Sequence, residues 1–182
     1  IVAIKNLPSE CINKEVFFDA SSAADADGDE LDYYWNFGDG STFHSGPKIA
    51  HQYAQGGKYR VSVVVDDRKG TSCSSSTAEA NIFINTPPSA DAGLNQSCCV
   101  NRKTHFSASA SSDPDDDQLV YIWDLGDGTV KRGENVTHAY TQSGSYNVRL
   151  TVDDQRKSSC SQSADGFVAE VKEIPLPVIN VR

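Results

Sequence analysis

Apolar and polar side chains alternate along this chain in short runs. Leu31, Tyr33, Trp35 and Phe37 alternate with Asp32, Tyr34 and Asn36. Tyr59, Val61, Val63 and Val65 alternate with Arg60, Ser62 and Val64. Val16, Phe18 and Ala20 give a third run, and Ile82 and Ile84 a fourth. Later in the chain Leu119, Tyr121, Trp123 and Leu125, then Tyr146, Val148, Leu150 and Val152, do the same. A period of two puts successive side chains on opposite faces of an extended backbone, so each run predicts a half-buried strand. No segment sustains a helical period. Between the runs lie turn clusters: Asp27-Gly28-Asp29, Gly38-Asp39-Gly40 and Gln55-Gly56-Gly57.

The pattern occurs twice. Shifted by 88 positions, Cys11–Gly40 overlies Cys99–Gly128 with 14 identities in 30 positions; shifted by 87, His51–Cys73 overlies His138–Cys160 with 11 in 23. The lost residue falls between Ser41 and Ala50, a turn-rich stretch where a deletion costs little. Asn85-Thr86-Pro87-Pro88-Ser89 separates the copies, and Pro-Pro cannot continue a sheet ladder. About seven short strands per copy, with a Trp on a middle strand, predict an all-β fold of two tandem immunoglobulin-like β-sandwich domains. The expected domains are 1–86 and 87–174. Residues 175–182, with Pro175-Leu176-Pro177-Val178, read as a linker into a further domain.

Composition narrows the function. The 182 residues carry a net charge of −9, with a pI near 4.8. An acidic surface opposes non-specific nucleic-acid binding and docking on anionic lipid, while leaving hard cations as plausible partners. No apolar run approaches the roughly 20 residues of a membrane span, so no direct membrane insertion is expected. The chain has no Met and reads as a fragment or a processed product. Its five cysteines form neither C-x-x-C nor a zinc spacing, which favours disulfides and a secreted or cell-surface (extracellular or periplasmic) location.

Several motifs have a structural reading stronger than a catalytic one. Gly-Asp-Gly at 38–40 and 126–128 is a turn, with Gly supplying positive φ and Asp bonding its own backbone. His51 and His138 occupy equivalent places in both copies, which suits a part of the frame. Tyr59 and Tyr146 follow a Gly turn and open a strand, the placement of a tyrosine corner. Trp35 and Trp123 read as core. No catalytic constellation emerges.

These residues resemble the PKD domain family. The matching segments are Tyr33–Gly40 (YYWNFGDG), His51-Gln52-Tyr53, Gly57-Lys58-Tyr59-Arg60-Val61 and Val65-Asp66-Asp67. The second copy matches with Trp123–Gly128 (WDLGDG), His138-Ala139-Tyr140, Gly144–Val148 (GSYNV) and Thr151–Asp154 (TVDD). The upstream Ser-x-Asp-Pro-Asp element appears as Ser112-Asp113-Pro114-Asp115 and, in altered form, as Asp25-Ala26-Asp27-Gly28. The resemblance implies a non-catalytic extracellular sandwich module. Such modules occur in strings on surface proteins, beside the catalytic domains of secreted hydrolases, and in polycystins.

Acidic loops are the main candidate chemistry. Copy one carries Asp25, Asp27, Asp29, Glu30 and Asp32; copy two carries Asp113, Asp115, Asp116 and Asp117. Calcium takes six to eight hard oxygens, often from D-x-D on a turn plus a distant carboxylate. An EF-hand is excluded, because counting from Asp25 its Gly and Glu positions hold Glu30 and Asn36. The alternatives are a solvated acidic loop and a calcium site. The resemblance implies the ligand set Asp113, Asp115 and Asp154, with Ser89 as a further candidate, and in copy one Asp25, Asp27 and Asp67.

The cysteines follow the repeat. Cys11 aligns with Cys99 and Cys73 with Cys160, so each copy is expected to hold its own disulfide, Cys11–Cys73 and Cys99–Cys160. In such a sandwich the first strand can run parallel to the last, where those two cysteines could meet. Cys98 is then odd, free or in an interchain contact. The expected function is that of a non-enzymatic tandem module, a spacer that also contacts protein or matrix. The alternative is a substrate-binding accessory unit of a secreted hydrolase, for polysaccharide or a collagen-like substrate. That reading needs an exposed aromatic strip, for which Tyr34, Phe43 and Phe83 are the candidates.

Overall fold

A computed structural model describes residues 9–175. Its strands are β1 (Glu10–Cys11), β2 (Glu15–Asp19), β3 (Asp32–Asn36), β4 (Thr42–Ser45), β5 (Lys48–Gln52), β6 (Gly57–Asp66), β7 (Ser75–Asn85), β8 (Gln96–Cys99), β9 (Thr104–Ser107), β10 (Val120–Asp124), β11 (Val130–Arg132), β12 (Asn135–His138), β13 (Gly144–Asp153) and β14 (Gln162–Lys172). Among the described residues each half thus contributes seven, and the fold is all-β. The expected linker over 175–182 lies, beyond Pro175, outside the described residues.

Two compact units form. Unit 1 holds the chain up to Thr86 together with Arg156–Cys160; unit 2 holds Pro87–Gln155 and the chain from Ser161. In unit 1 a five-stranded sheet of order β1-β7-β6-β3-β4 faces a two-stranded sheet of β2 and β5; unit 2 repeats this as β11-β10-β13-β14-β8 and β9-β12. The short first strand of each copy runs parallel to the last, β1 on β7 and β8 on β14.

The alternation explains the packing. Val61, Val63 and Val65 of β6 and Tyr33 and Trp35 of β3 turn inward against Phe18 and Phe37. Trp123, Phe106, Leu125 and Leu150 do the same in unit 2. Trp35 and Trp123 are buried, and their indole N–H groups donate to the carbonyls of Gly46 and Gly133 at 3.2 and 3.1 Å. Tyr59 and Tyr146 are tyrosine corners: their hydroxyls donate to the carbonyls of Gln55 and Gln142, four residues back, at 2.9 and 3.0 Å. The segment 41–50, expected to be turns, holds β4 and β5. β4 is exposed throughout, so burial imposes no alternation on it, whereas β5 alternates, with Ile49 and His51 half-buried between exposed Lys48, Ala50 and Gln52.

The disulfide pairing is corrected. Cys11 is bonded to Cys160, with Cα atoms 6.1 Å apart, and Cys73, Cys98 and Cys99 are free thiols. Neither Cys11–Cys73 nor Cys99–Cys160 forms. The expected strand neighbours are correct, but the cysteines lie at opposite ends of them. Cys11 is in register with Asn85 at the end of β7, whereas Cys73 precedes its start at Ser75. At roughly 3.3 Å per residue that strand spans about 35 Å, several times the reach of a disulfide. Cys99 is likewise opposite Lys172, at the far end of β14 from Cys160. Cys98 packs against the core of unit 2, and alternation turns Cys99 to the other face.

Candidate functional site: the acidic loops

In both copies the first Asp of the acidic loop folds the turn around itself. Asp25 Oδ1 accepts the backbone N–H groups of Asp27 and Asp29 at 2.8 and 3.2 Å. Asp113 Oδ1 accepts those of Asp115 and Asp117 at 2.8 and 3.3 Å. The left-handed residue inside the turn is Gly28 in copy one and Asp116, at φ 58°, in copy two. A β-bridge between Ser89 and Ser112, with N–H···O distances of 2.7 and 3.0 Å, sets Ser89 beside this loop. The corresponding N-terminal residues of copy one lie outside the described residues.

The two loops then diverge. In copy two the carboxylates of Asp113, Asp115 and Asp117 present oxygens within 4.8 Å of one another. Asp113 Oδ2 is buried with no hydrogen-bond partner. Burial pushes the Asp113 carboxyl above its usual range against the two backbone N–H bonds, and the charges of Asp117 and Asp115 push the same way. A buried carboxylate oxygen without a donor, among two further carboxylates, is the donor set of a hard cation, and these residues fit one. Asp117, named in the acidic loop by the sequence, was left out of the ligand set that the resemblance implies, although the spacing Asp-x-Asp-x-Asp at 113, 115 and 117 displays it. Asp154 is buried and its backbone N–H donates to Ser161 O at 3.0 Å, but the three-carboxylate group does not include it.

In copy one a lysine takes part. Lys69 Nζ lies 2.9 Å from Asp29, the equivalent of Asp117. The ammonium is held above its usual pKa by the hydrogen bond and charge of Asp29, with Asp67 and Asp25 adding to the field. Asp25 and Asp67 line one cavity of about 180 Å³ with Cys73 and Ser74. Asp27 gives the turn its N–H and leaves its side chain exposed. The expected trio Asp25, Asp27 and Asp67 is therefore only partly brought together, around an internal cation.

The remaining candidates are structural. Asp39 and Asp127 of the Gly-Asp-Gly turns bond the ring Nε2 of His51 and His138 at 2.6 and 2.7 Å. Burial would raise both carboxyls; hydrogen bonds, from Ser41 and His51 in one and from His138 and Thr129 in the other, outweigh it and hold them low. Both histidines are thereby fixed to the frame. The aromatic candidates do not form a strip. Tyr34 stacks on His44 on one face of β3–β4, while Phe43, paired with Trp35, turns to the other and packs on Phe37. Phe83 shares the face of Tyr34 but lies six residues along β7 from Thr77, the cross-sheet neighbour of Tyr34, about 20 Å away. Its ring is covered by the Arg156 guanidinium at 4.2 Å.

Fold and sites together define a class: tandem immunoglobulin-like sandwiches with an acidic loop in each. The sequence profile of the PKD domain matches residues 3–82 and 85–168, and the chain belongs to the PKD domain family as two tandem copies. Collagenase ColA of Clostridium perfringens is 33% identical over 100 residues, 55% of this chain and 9% of its own length. Pre-pro-metalloprotease PrtV of Vibrio cholerae is 31% identical over 138 residues, 75% of this chain and 14% of its own. Human Polycystin-1 is 29% identical over 124 residues, 65% of this chain and 3% of its own. The chain thus spans a small part of each. Among solved structures, the I67–I69 fragment of titin gives a TM-score of 0.54 at 9% identity, over 94% of this chain and 64% of that one. Domains 3–5 of Drosophila OTK give 0.54 at 11%, over 94% and 60%. These likenesses concern the fold.

Proposed function

We propose that the chain is a non-catalytic accessory module of a secreted or surface-exposed protein, which spaces neighbouring parts and contacts extracellular protein, with calcium held at the loop of Asp113, Asp115 and Asp117. The observation that carries the reading is membership of the PKD family in both halves, with relatives that are proteases many times longer than this chain. The calcium reading rests on the unpartnered buried Asp113 Oδ2. The scattered aromatics favour the spacer over a polysaccharide-binding unit, because stacking on sugar rings needs several exposed rings on one face. Retention on insoluble collagen, chitin and cellulose tests it. We expect no retention on chitin or cellulose, and any retention on collagen to survive Tyr34→Ala. Retention on a polysaccharide that Tyr34→Ala abolishes would replace the spacer with the substrate-binding reading.

A further inference from the structure

The bond between Cys11 and Cys160 breaks the symmetry of the repeat in an informative way. Cys160 is the equivalent of Cys73, not of Cys11. Unit 1 is completed by a loop, Arg156–Cys160, that the second copy supplies. The rule is therefore that the N-terminal cysteine of one copy bonds the loop cysteine of the next. Applied once to a two-copy chain, it leaves one half of the same bond at each end: Cys73 without an N-terminal partner and Cys99 without a loop partner.

Both leftover halves sit in the local geometry of the bonded pair. After Cys11, Ile12 N–H donates to Asn85 O at 3.0 Å, Asn13 N–H to Tyr53 O at 2.8 Å, and Lys14 N–H to Cys11 O at 3.2 Å. After Cys99, Val100 N–H donates to Lys172 O at 3.0 Å, Asn101 N–H to Tyr140 O at 2.8 Å, and Arg102 N–H to Cys99 O at 3.2 Å. Asn13 and Asn101 share the left-handed conformation, φ 59° in each. On the other side, Asp154 N–H donates to Ser161 O at 3.0 Å just after Cys160, and Asp67 N–H to Ser74 O at 2.9 Å just after Cys73. Cys11, under its loop, is 3% exposed; Cys99 is partly exposed and Cys73 exposed.

We propose that Cys99 and Cys73 are the two halves of a second staple, joined head to tail when Cys99 meets the loop cysteine of another copy. The partner is a PKD repeat of this same kind, and a second copy of this chain supplies it. Such a heterologous contact repeats from copy to copy and so builds an array or a ring of covalently linked copies. Each junction oxidises two thiols to one disulfide, releasing two protons and two electrons. A small-molecule disulfide such as glutathione disulfide accepts them by exchange and leaves as two thiols.

The test uses the 182-residue chain, oxidised with glutathione disulfide at high protein concentration and mapped by non-reducing peptide mass spectrometry. The expected result is a ladder of covalent oligomers in which Cys73–Cys99 is the dominant cross-link and Cys11–Cys160 is intact. Cys73→Ser and Cys99→Ser should each stay monomeric alone, and their mixture should stop at a heterodimer. Cys98→Ser should leave the ladder unchanged. Dominant Cys73–Cys73 or Cys98 links, a Cys98–Cys99 bond, glutathione adducts without oligomers, or a native Cys11–Cys73 bond would each overturn the proposal. Because Cys73 is exposed, its Ser variant is expected to fold, and a Cys11–Cys160 peptide in that variant verifies it.

Discussion

Lys69 Nζ lies 2.9 Å from the Asp29 carboxylate in the first repeat, whereas its equivalent in the second, Arg156, lies with its guanidinium 4.2 Å over the ring of Phe83. One loop sequence has thus been handled in two ways. The first repeat brings its own cation to the acidic loop. The second keeps Asp113 Oδ2 buried without a donor.

Removing the internal cation should expose the difference. Lys69→Ala leaves Asp25, Asp29 and Asp67 to repel one another, so unit 1 should melt at a lower temperature in chelator. Calcium should then restore the loss, which it does not need to do in the parent chain. Calorimetry with calcium and with chelator reads this directly. A variant that melts like the parent in chelator would show that Lys69 is a surface charge and no more.

The raised Asp113 carboxyl makes a prediction of opposite sign to most carboxylates. A group whose folded pKa is raised favours the fold below its unfolded pKa, and that contribution is lost as pH rises through the folded value. Asp113→Asn keeps an oxygen for the two backbone N–H groups while removing the charge. In chelator at neutral pH it should be at least as stable as the parent, and it should lose the calcium-dependent gain. Lower stability in chelator would show that the buried charge already has a partner.

Asp32 works the other way. Its carboxyl is lowered to about 2, chiefly by the hydrogen bond from Arg68, with His44 adding to it. Its stabilisation is present above the ordinary value of 3.8 and is lost as pH falls towards 2. Urea midpoints of the parent and of Asp32→Asn should therefore differ above pH 3.8 and converge near pH 2. A constant difference through that window would assign the effect to something other than the carboxylate.

Gly38 and Gly40 flank Asp39, and both have positive φ, 79° and 93°. A Cβ at Gly38 would lie 2.6 Å from the Arg60 carbonyl oxygen, whereas one at Gly40 meets nothing within 4 Å. Gly40→Ala should cost about 1 kcal/mol, the left-handed strain alone. Gly38→Ala should cost clearly more, because backbone must move. Equal costs in chemical denaturation would contradict this packing. Gly126, with a Cβ 2.7 Å from the Asn147 carbonyl oxygen, should behave as Gly38 does.

The frame was legible because burial enforces alternation. Trp35, Val61, Val63 and Leu150 announce their strands, and the tyrosine corners announce theirs by the Gly turn before Tyr59 and Tyr146. The exposed strand β4 was not legible, since no core face constrains Thr42–Ser45, and β5 was not legible because its core face carries a single aliphatic residue, Ile49, beside His51. The cysteines failed for a different reason. Strand order says which strands are neighbours, but the direction of travel decides which ends meet, and Cys11 and Cys73 lie at opposite ends of β7. The role of Lys69 was hidden because a long side chain on a loop has no period to betray its direction.

Calcium titration calorimetry tests the account most directly. It predicts one ion per 182-residue chain, lost in Asp113→Asn and kept in Asp25→Asn. At a hundredfold excess over Kd, binding to the native state alone should add about 2.7 kcal/mol of stability. Two ions per chain, no heat of binding, or loss of binding in Asp25→Asn with retention in Asp113→Asn would contradict it.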